Sequence, residues 1–275
     1  MTSTAHLLSE DELARYRQDG YIVPRWRLPE ALLAKMRAAL DDLIAENPER
    51  RPEHLVLRWG GGAAARPTDA KFLGFVRTPE ILDIVAQIEG PDLICWGAHV
   101  IAKAGGDGLE VPWHQDAPYW PIRPLATVTV WLALDDSTCQ NGCLRVVPGS
   151  HRERAMLDHR TDTRPGLAID QVVDDPGFDG SGAVDVVLEA GQMSIHDAFL
   201  LHGSAANRSG RRRAGLAVRY MPATSLYDRT IQRLGGGAAI RQDMSKRPIY
   251  LVRGRDRAGN DFRIGQDRPF EVGAA

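Results

Sequence analysis

Two short motifs, far apart in the chain, carry side chains that bind metal ions. One is Trp113-His114-Gln115-Asp116 and the other is His202-Gly203-Ser204. On an extended strand, residues two apart leave the same face, so His114 and Asp116 would point to one side. With His202 as a distant third ligand they would form a two-histidine, one-carboxylate facial triad. That set leaves coordination positions open and typifies non-heme Fe(II) oxygenases. Eleven residues beyond His202 stands Arg213, at the head of the apolar run Ala214-Gly215-Leu216-Ala217-Val218. A buried arginine there would hold a carboxylate by two parallel hydrogen bonds, which a lysine cannot match. An iron site beside such a clamp suggests 2-oxoglutarate, with its keto acid end on the metal and its far carboxylate on the arginine.

An HxD triplet alone recurs by chance, so competing residues matter. His196, in Ser194-Ile195-His196-Asp197, is the rival to His202. The eleven-residue offset to Arg213 and the Gly-Ser that follows favour His202 and leave His196 a packing or supporting role. His99 reads as a strand residue and His151 as a loop residue. Cys139 and Cys143 have zinc-like spacing, but no second Cys or His pair completes a four-ligand site, so they are read as inert. The four arginines of 208–213 read as a solvated, salt-bridged edge with one member, Arg213, turned inward. Trp113, Tyr119, Trp120 and Trp131 read either as core or as pocket walls.

The elements that must position these residues change character along the chain. Ser9 with Glu12 forms a capping-box pattern that opens a helix running toward Gly20. Pro29-Glu30 starts a second helix, with Leu32, Leu33, Met36, Leu40 and Leu43 at helical spacing and a stop near Asn47-Pro48. Thr78-Pro79-Glu80 starts a third, stopped by Gly90-Pro91, and 58–69 reads as a mobile loop. From about residue 93 the pattern turns to strands, at 93–103, 127–134, 143–147, 184–187, 192–195 and 215–220. Asn141-Gly142 is expected to turn a hairpin between two of them. Short strands with helices gathered at one end predict a mainly β fold with flanking helices, a double-sheet jelly roll. The aperiodic segment 153–182 reads as an insertion over the site.

Composition is that of one globular unit. The chain has 275 residues, 43% apolar and 25% charged, and a net charge of −2. All-β folds of this size often form a single domain. The expected divisions are a helical part at about 1–92, a jelly-roll core at about 93–222 and an extension at 223–275. The charge gives no footprint for nucleic acid or an anionic membrane. No secretory signal or apolar run of spanning length is seen, and three cysteines suit a reducing cytoplasm.

The chain resembles the phytanoyl-CoA dioxygenase family of iron- and 2-oxoglutarate-dependent oxygenases over roughly residues 10–255. The resemblance rests on His114-Gln115-Asp116-Ala117-Pro118-Tyr119-Trp120-Pro121, then Asn141-Gly142-Cys143-Leu144-Arg145-Val146-Val147-Pro148-Gly149-Ser150-His151. The third piece is His202-Gly203-Ser204-Ala205-Ala206-Asn207 with Arg213 beyond. It implies a cupin-like double-stranded β-helix with His114, Asp116 and His202 as iron ligands and Arg213 on 2-oxoglutarate. Ser204 and Trp131 match positions that contact the cosubstrate in relatives. The expected activity is hydroxylation of an unactivated carbon of a small-molecule metabolite, with O2 consumed and succinate and CO2 released. Asp116 argues against a halogenase, which needs that position vacated for halide. Two alternatives stay open: a redox-inert hydrolase or isomerase, and a non-catalytic ligand-binding jelly roll. Arg58, Arg66, Arg229 and Arg241 would suit an anionic substrate, and a solvated surface accounts for them equally.

Overall fold

The structure, a computed structural model, describes residues 7–55, 57, 67–231 and 244–264. Helix α1 (Glu10–Asp19) begins at Ser9, whose side chain accepts from the Glu12 amide while the Glu12 carboxylate accepts from the Ser9 amide. It ends at Gly20 in the left-handed region, the usual cost-free stop for a helix. Helix α2 (Glu30–Ala45) buries Leu33, Met36, Leu40 and Leu43. Helix α3 (Pro67–Phe75) takes up the end of the segment expected to be a loop, whose residues 58–66 lie outside those described. Helix α4 (Pro79–Glu89) has Pro at its first position and buries Ile81, Leu82, Ile84 and Val85. Each such side chain contributes about 1.5–3 kcal/mol relative to exposure.

The strands are β1 (Tyr21–Ile22), β2 (Leu93–Lys103), β3 (Val111–His114), β4 (Ile122–Arg123) and β5 (Val128–Ala133). They continue with β6 (Leu144–Val146), β7 (His159–Thr161), β8 (Gln171–Val173), β9 (Val184–Val186) and β10 (Met193–Asp197). Last come β11 (His202–Ser204), β12 (Arg213–Pro222), β13 (Leu226–Tyr227) and β14 (Tyr250–Arg253). A six-stranded sheet runs β1-β10-β5-β12-β2-β14 and a four-stranded sheet runs β3-β11-β6-β9. All named pairings are antiparallel. Two such sheets form the double-stranded β-helix of a cupin-like jelly roll. The main core lies between the large sheet and the helices; Met36, Leu40, Leu43, Phe72, Ile84, Val100 and Val130 are fully buried there. No described helix is long and apolar enough to cross a membrane.

Two local expectations are corrected. Asn141-Gly142 does not turn a hairpin, because β5 and β6 belong to different sheets. Instead Cys139–Asn141 form a 3-10 turn capped by Thr138, and Gly142 (φ 78°) leaves it in the left-handed region. A Cβ there would strike the Ala205 carbonyl, so the position needs glycine twice over. Asp116 is not on an extended strand, since β3 ends at His114 and Asp116 (φ −77°, ψ −34°) opens the 3-10 turn Ala117–Tyr119. Within the expected extension, β14 pairs with β2 at the sheet edge.

Burial also produces a pH-sensitive group at the end of α4. Burial, with Asp197 beside it, pushes the Glu89 carboxyl up to about 8, against a smaller opposing effect of Arg154. Between the ordinary carboxylate value and pH 8 the folded state therefore holds a proton that the unfolded chain has lost, so stability falls as pH rises through this window. Glu89→Gln is expected to flatten that slope: it should unfold at about the wild-type temperature near pH 4.5 and at a higher one at pH 8 and above. Thermal unfolding followed from pH 4.5 to 9 measures this, and parallel curves for the two proteins would contradict it.

Candidate active site

His114 is the last residue of β3 and His202 the first of β11, and the antiparallel register sets them directly opposite each other. Their ring centroids are 4.2 Å apart. Asp116 returns to the same point from the turn after β3, with its Oδ1 3.9 Å from His114 Nε2. That turn is held by the Ala117 amide, which donates to the Ala198 carbonyl at 2.9 Å. One donor atom from each of His114, Asp116 and His202 lies within 4.8 Å of the others. The three residues predicted from sequence are thus brought together.

Each histidine is oriented by its own backbone. His114 Nδ1 lies 2.8 Å from the Pro112 carbonyl, and His202 Nδ1 lies 2.9 Å from the Leu200 carbonyl. An Nδ1–H donated to the carbonyl two residues back leaves each Nε2 lone pair for a metal, the arrangement that fixes ligating imidazoles. Burial, and His202 beside it, hold His114 well below its ordinary pKa, so it stays neutral as a ligand must. Thr129 Oγ1 donates to Asp116 Oδ2 at 3.4 Å. A pair of imidazoles with a carboxylate, the second ring nitrogens already engaged, is the donor set that a ferrous ion accepts.

Arg213 is 2% exposed, and its guanidinium sits 5.1 Å from the Trp131 ring centroid. Gly215 permits this: a Cβ there would run into the Trp131 ring. Arg213 Nη2 donates to Ser204 Oγ at 3.3 Å, while its buried Nε has no partner. Arg213, Ser204 and Trp131 therefore meet at one end of the site, as the sequence reading expects. That reading missed Lys103, which faces Arg213 across β2 and β12. Lys103 Nζ donates to Ser204 Oγ at 2.6 Å and to the Ser204 and Ala205 carbonyls at 3.2 and 2.5 Å. Burial, then Arg213 beside it, pushes Lys103 down to about 6. With two donors aimed at its oxygen, Ser204 keeps its own hydroxyl hydrogen for an acceptor in the site.

Arg213, Ser204 and Trp131 line one cavity of about 230 Å³ that also contains the triad, with Lys103 behind Ser204. His196 lines it too, with its ring 4.8 Å from His202, but it stands outside the three-residue metal-binding cluster. Both of its nitrogens are buried without a partner, and burial pushes it down to about 3. His99 is more than a strand residue: it faces the same cavity with Nε2 unpartnered, and burial pushes it down to about 3 as well. His151, as expected, lies in a loop and packs on Gly20. Ala168, Ile169 and Gln171, from the segment expected to cover the site, line the cavity wall. Gln115 ties that segment down: its side-chain amide donates to the Ala155 and Phe199 carbonyls and accepts from the Leu157 amide.

Other sequence candidates go elsewhere. Arg229 donates to the carbonyls of Ser245, Arg247 and Asp261 and does not line the cavity, while Arg58, Arg66 and Arg241 lie outside the described residues. Arg212 bridges Asp135 and Asp41, as a salt-bridged edge should. Cys139, Cys143 and Asp185 cluster, with Asp185 also held by Arg145. Trp96 and Trp120, with ring centroids 4.6 Å apart, belong to a buried core cluster and do not line the cavity.

The sequence profile of the phytanoyl-CoA dioxygenase (PhyH) family matches residues 16–215. The chain is 27% identical over 250 residues to an L-proline trans-4-hydroxylase of Streptomyces griseoviridis, covering 82% of this chain and 90% of that one. Its fold is similar to that of a non-heme monooxygenase solved in the apo form (TM-score 0.67, 27% identity, 92% of this chain and 88% of that one). It is also similar to a nogalamycin-pathway epimerase solved with Fe3+, alpha ketoglutarate and nogalamycin RO (TM-score 0.61, 26% identity, 84% and 91% covered). With a jelly roll, a buried His-Asp-His cluster and an arginine eleven residues beyond the second histidine, this chain belongs to the phytanoyl-CoA dioxygenase family and is a 2-oxoglutarate-dependent non-heme iron oxygenase.

Proposed function

We propose that the chain is a single catalytic domain that hydroxylates an unactivated carbon of a small-molecule metabolite. His114, Asp116 and His202 hold the ferrous ion, and Arg213, Ser204 and Trp131 hold 2-oxoglutarate. The observation that carries this reading is the orientation of both imidazoles by Nδ1 contacts to backbone carbonyls, with one donor atom of each within 4.8 Å of the Asp116 carboxylate. Iron with 2-oxoglutarate and dioxygen supplies an oxidant able to break a C–H bond, with release of succinate and CO2.

The protein's own part is positioning. Arg213 presents a planar fork at the closed end of the cavity, and the Ser204 hydroxyl, held as a donor by Lys103, completes the grip on the far carboxylate. Trp131 stacks beside the guanidinium and keeps it from swinging. Ala168, Ile169 and Gln171 cover the opposite side and limit water at the reacting carbon. The three cysteines are all free, which supports a reducing compartment. A hydrolase would have no use for a buried carboxylate clamp, which favours the oxygenase reading of this site.

Two tests follow from these roles. Anaerobic Fe(II) with 2-oxoglutarate should produce a visible charge-transfer band, and His202→Ala or Asp116→Ala should abolish it and cut succinate release by more than about 100-fold. A variant that keeps the band and turnover would remove that residue from the metal site. Lys103→Met strands buried acceptors, so urea unfolding should show a loss of about 1–3 kcal/mol for each. Ser204→Ala should instead fold normally and weaken 2-oxoglutarate by roughly 3- to 10-fold, read by titrating the same band.

A further inference from the structure

The cavity holds a second buried arginine to which none of the roles above applies. Arg219 is on the same face of β12 as Arg213, six residues on, or about 20 Å along an extended strand. It lines the cavity, yet among the described residues no carboxylate lies within salt-bridge distance of it, and its Nε is buried without a partner. Its cross-strand neighbour on β5 is Thr129, whose hydroxyl donates to Asp116, so Arg219 stands at the level of the triad. Its guanidinium is 5.3 Å from the Trp120 ring centroid and 5.9 Å from that of Trp96, which orients the fork.

Counting charge in this closed space is informative. The cavity is lined by Glu53, Asp116, Arg213 and Arg219. Glu53 is already satisfied by Arg51 and by the Leu109 amide. On the proposed reading, a ferrous ion with Asp116 leaves one positive charge, and Arg213 adds a second. The two carboxylates of 2-oxoglutarate balance these. Arg219 is left over, and a buried cation without a counter-ion is costly. Beside it, His99 and His196 offer three unpartnered ring nitrogens to the same space.

We infer that Arg219 is the anchor of a substrate carboxylate, with His99 and His196 hydrogen-bonding polar groups on the same molecule. The substrate class is then a small carboxylic acid bound with its anionic end at the Arg219 guanidinium, which Trp96 and Trp120 support from the core side. This rests on the cosubstrate assignment made above, and it places two anion subsites along one strand, one for each reactant.

The test uses the full-length protein with Fe(II) and saturating 2-oxoglutarate under anaerobic conditions. Matched probes are added: isobutyrate against isobutyramide and benzoate against benzamide. Binding is read by thermal shift and by perturbation of the charge-transfer band. In the wild type each acid should bind roughly 10- to 100-fold more tightly than its amide, the range expected for a charge-assisted pair. Arg219→Met should erase that preference while leaving 2-oxoglutarate affinity within about 3-fold, and Arg219→Lys should restore part of it. Equal binding of acid and amide by the wild type would overturn the inference, as would a preference that survives in Arg219→Met. A ten-fold loss of 2-oxoglutarate affinity in Arg219→Met would assign the residue to the cosubstrate instead. If the band never forms in the wild type, the iron and 2-oxoglutarate reading has failed, whereas a normal band without acid selectivity fails only the Arg219 assignment.

Discussion

Antiparallel pairing of β11 with β3 is the constraint on which the site depends, because it sets His202 opposite His114. A one-residue shift in register would turn one imidazole to the other face of the sheet. The pairing is secured on its other side by β6, so β11, only three residues long, is held between two neighbours. Backbone carbonyls at Pro112 and Leu200 then orient the two rings. Orientation thus comes from the main chain, with no additional acidic residue needed to aim either ring. Asp116 differs, since it comes from a turn and is held by the Ala117 amide and the Thr129 hydroxyl.

Strand β12 is the second organising element. It lies at the middle of the large sheet, between β5 and β2, and one of its faces lines the cavity from Arg213 through Ala217 to Arg219. Small residues at Gly215 and Ala217 leave room for Trp131 and for ligand, while long basic side chains stand at both ends. A strand is well suited to this, since alternate residues share a face and the backbone is rigid within the sheet. The polar end at Arg213 is reinforced by Lys103 and Ser204. Burial and the neighbouring Arg213 push Lys103 down to about 6, which eases the placing of two basic side chains side by side.

The covering segment shows how a short polar contact can join distant parts of the chain. Gln115 points away from its neighbours His114 and Asp116, and its side chain bonds both to residues 155 and 157 and to Phe199. Its amide also donates to His159 Nε2 at 3.0 Å. The metal motif and the cavity wall are therefore parts of one hydrogen-bonded unit, so the wall stays in step with the triad.

Several features were legible in the sequence because they are local. The capping box at Ser9, the proline start of α4, and the long apolar strands β2 and β12 depend on residues close to one another in the chain. The triad and Arg213 were legible for a different reason: metal and carboxylate chemistry admit few side chains, and the order and spacing of the motifs match the family. Other features were settled only by tertiary structure. Asn141-Gly142 carries the same local signal as a hairpin, yet β5 and β6 fall in different sheets, and no short-range preference encodes sheet membership. Lys103, His99 and Arg219 look like ordinary strand residues in the chain; what sets them apart is the cavity that His99 and Arg219 face and the Ser204 hydroxyl that Lys103 holds, and both arise only when the strands are assembled. Side-chain type and spacing therefore determined which chemistry the protein performs. The register of distant strands decided which buried charges remain without a partner, because burial and pairing are properties of neighbours that the chain brings together only on folding.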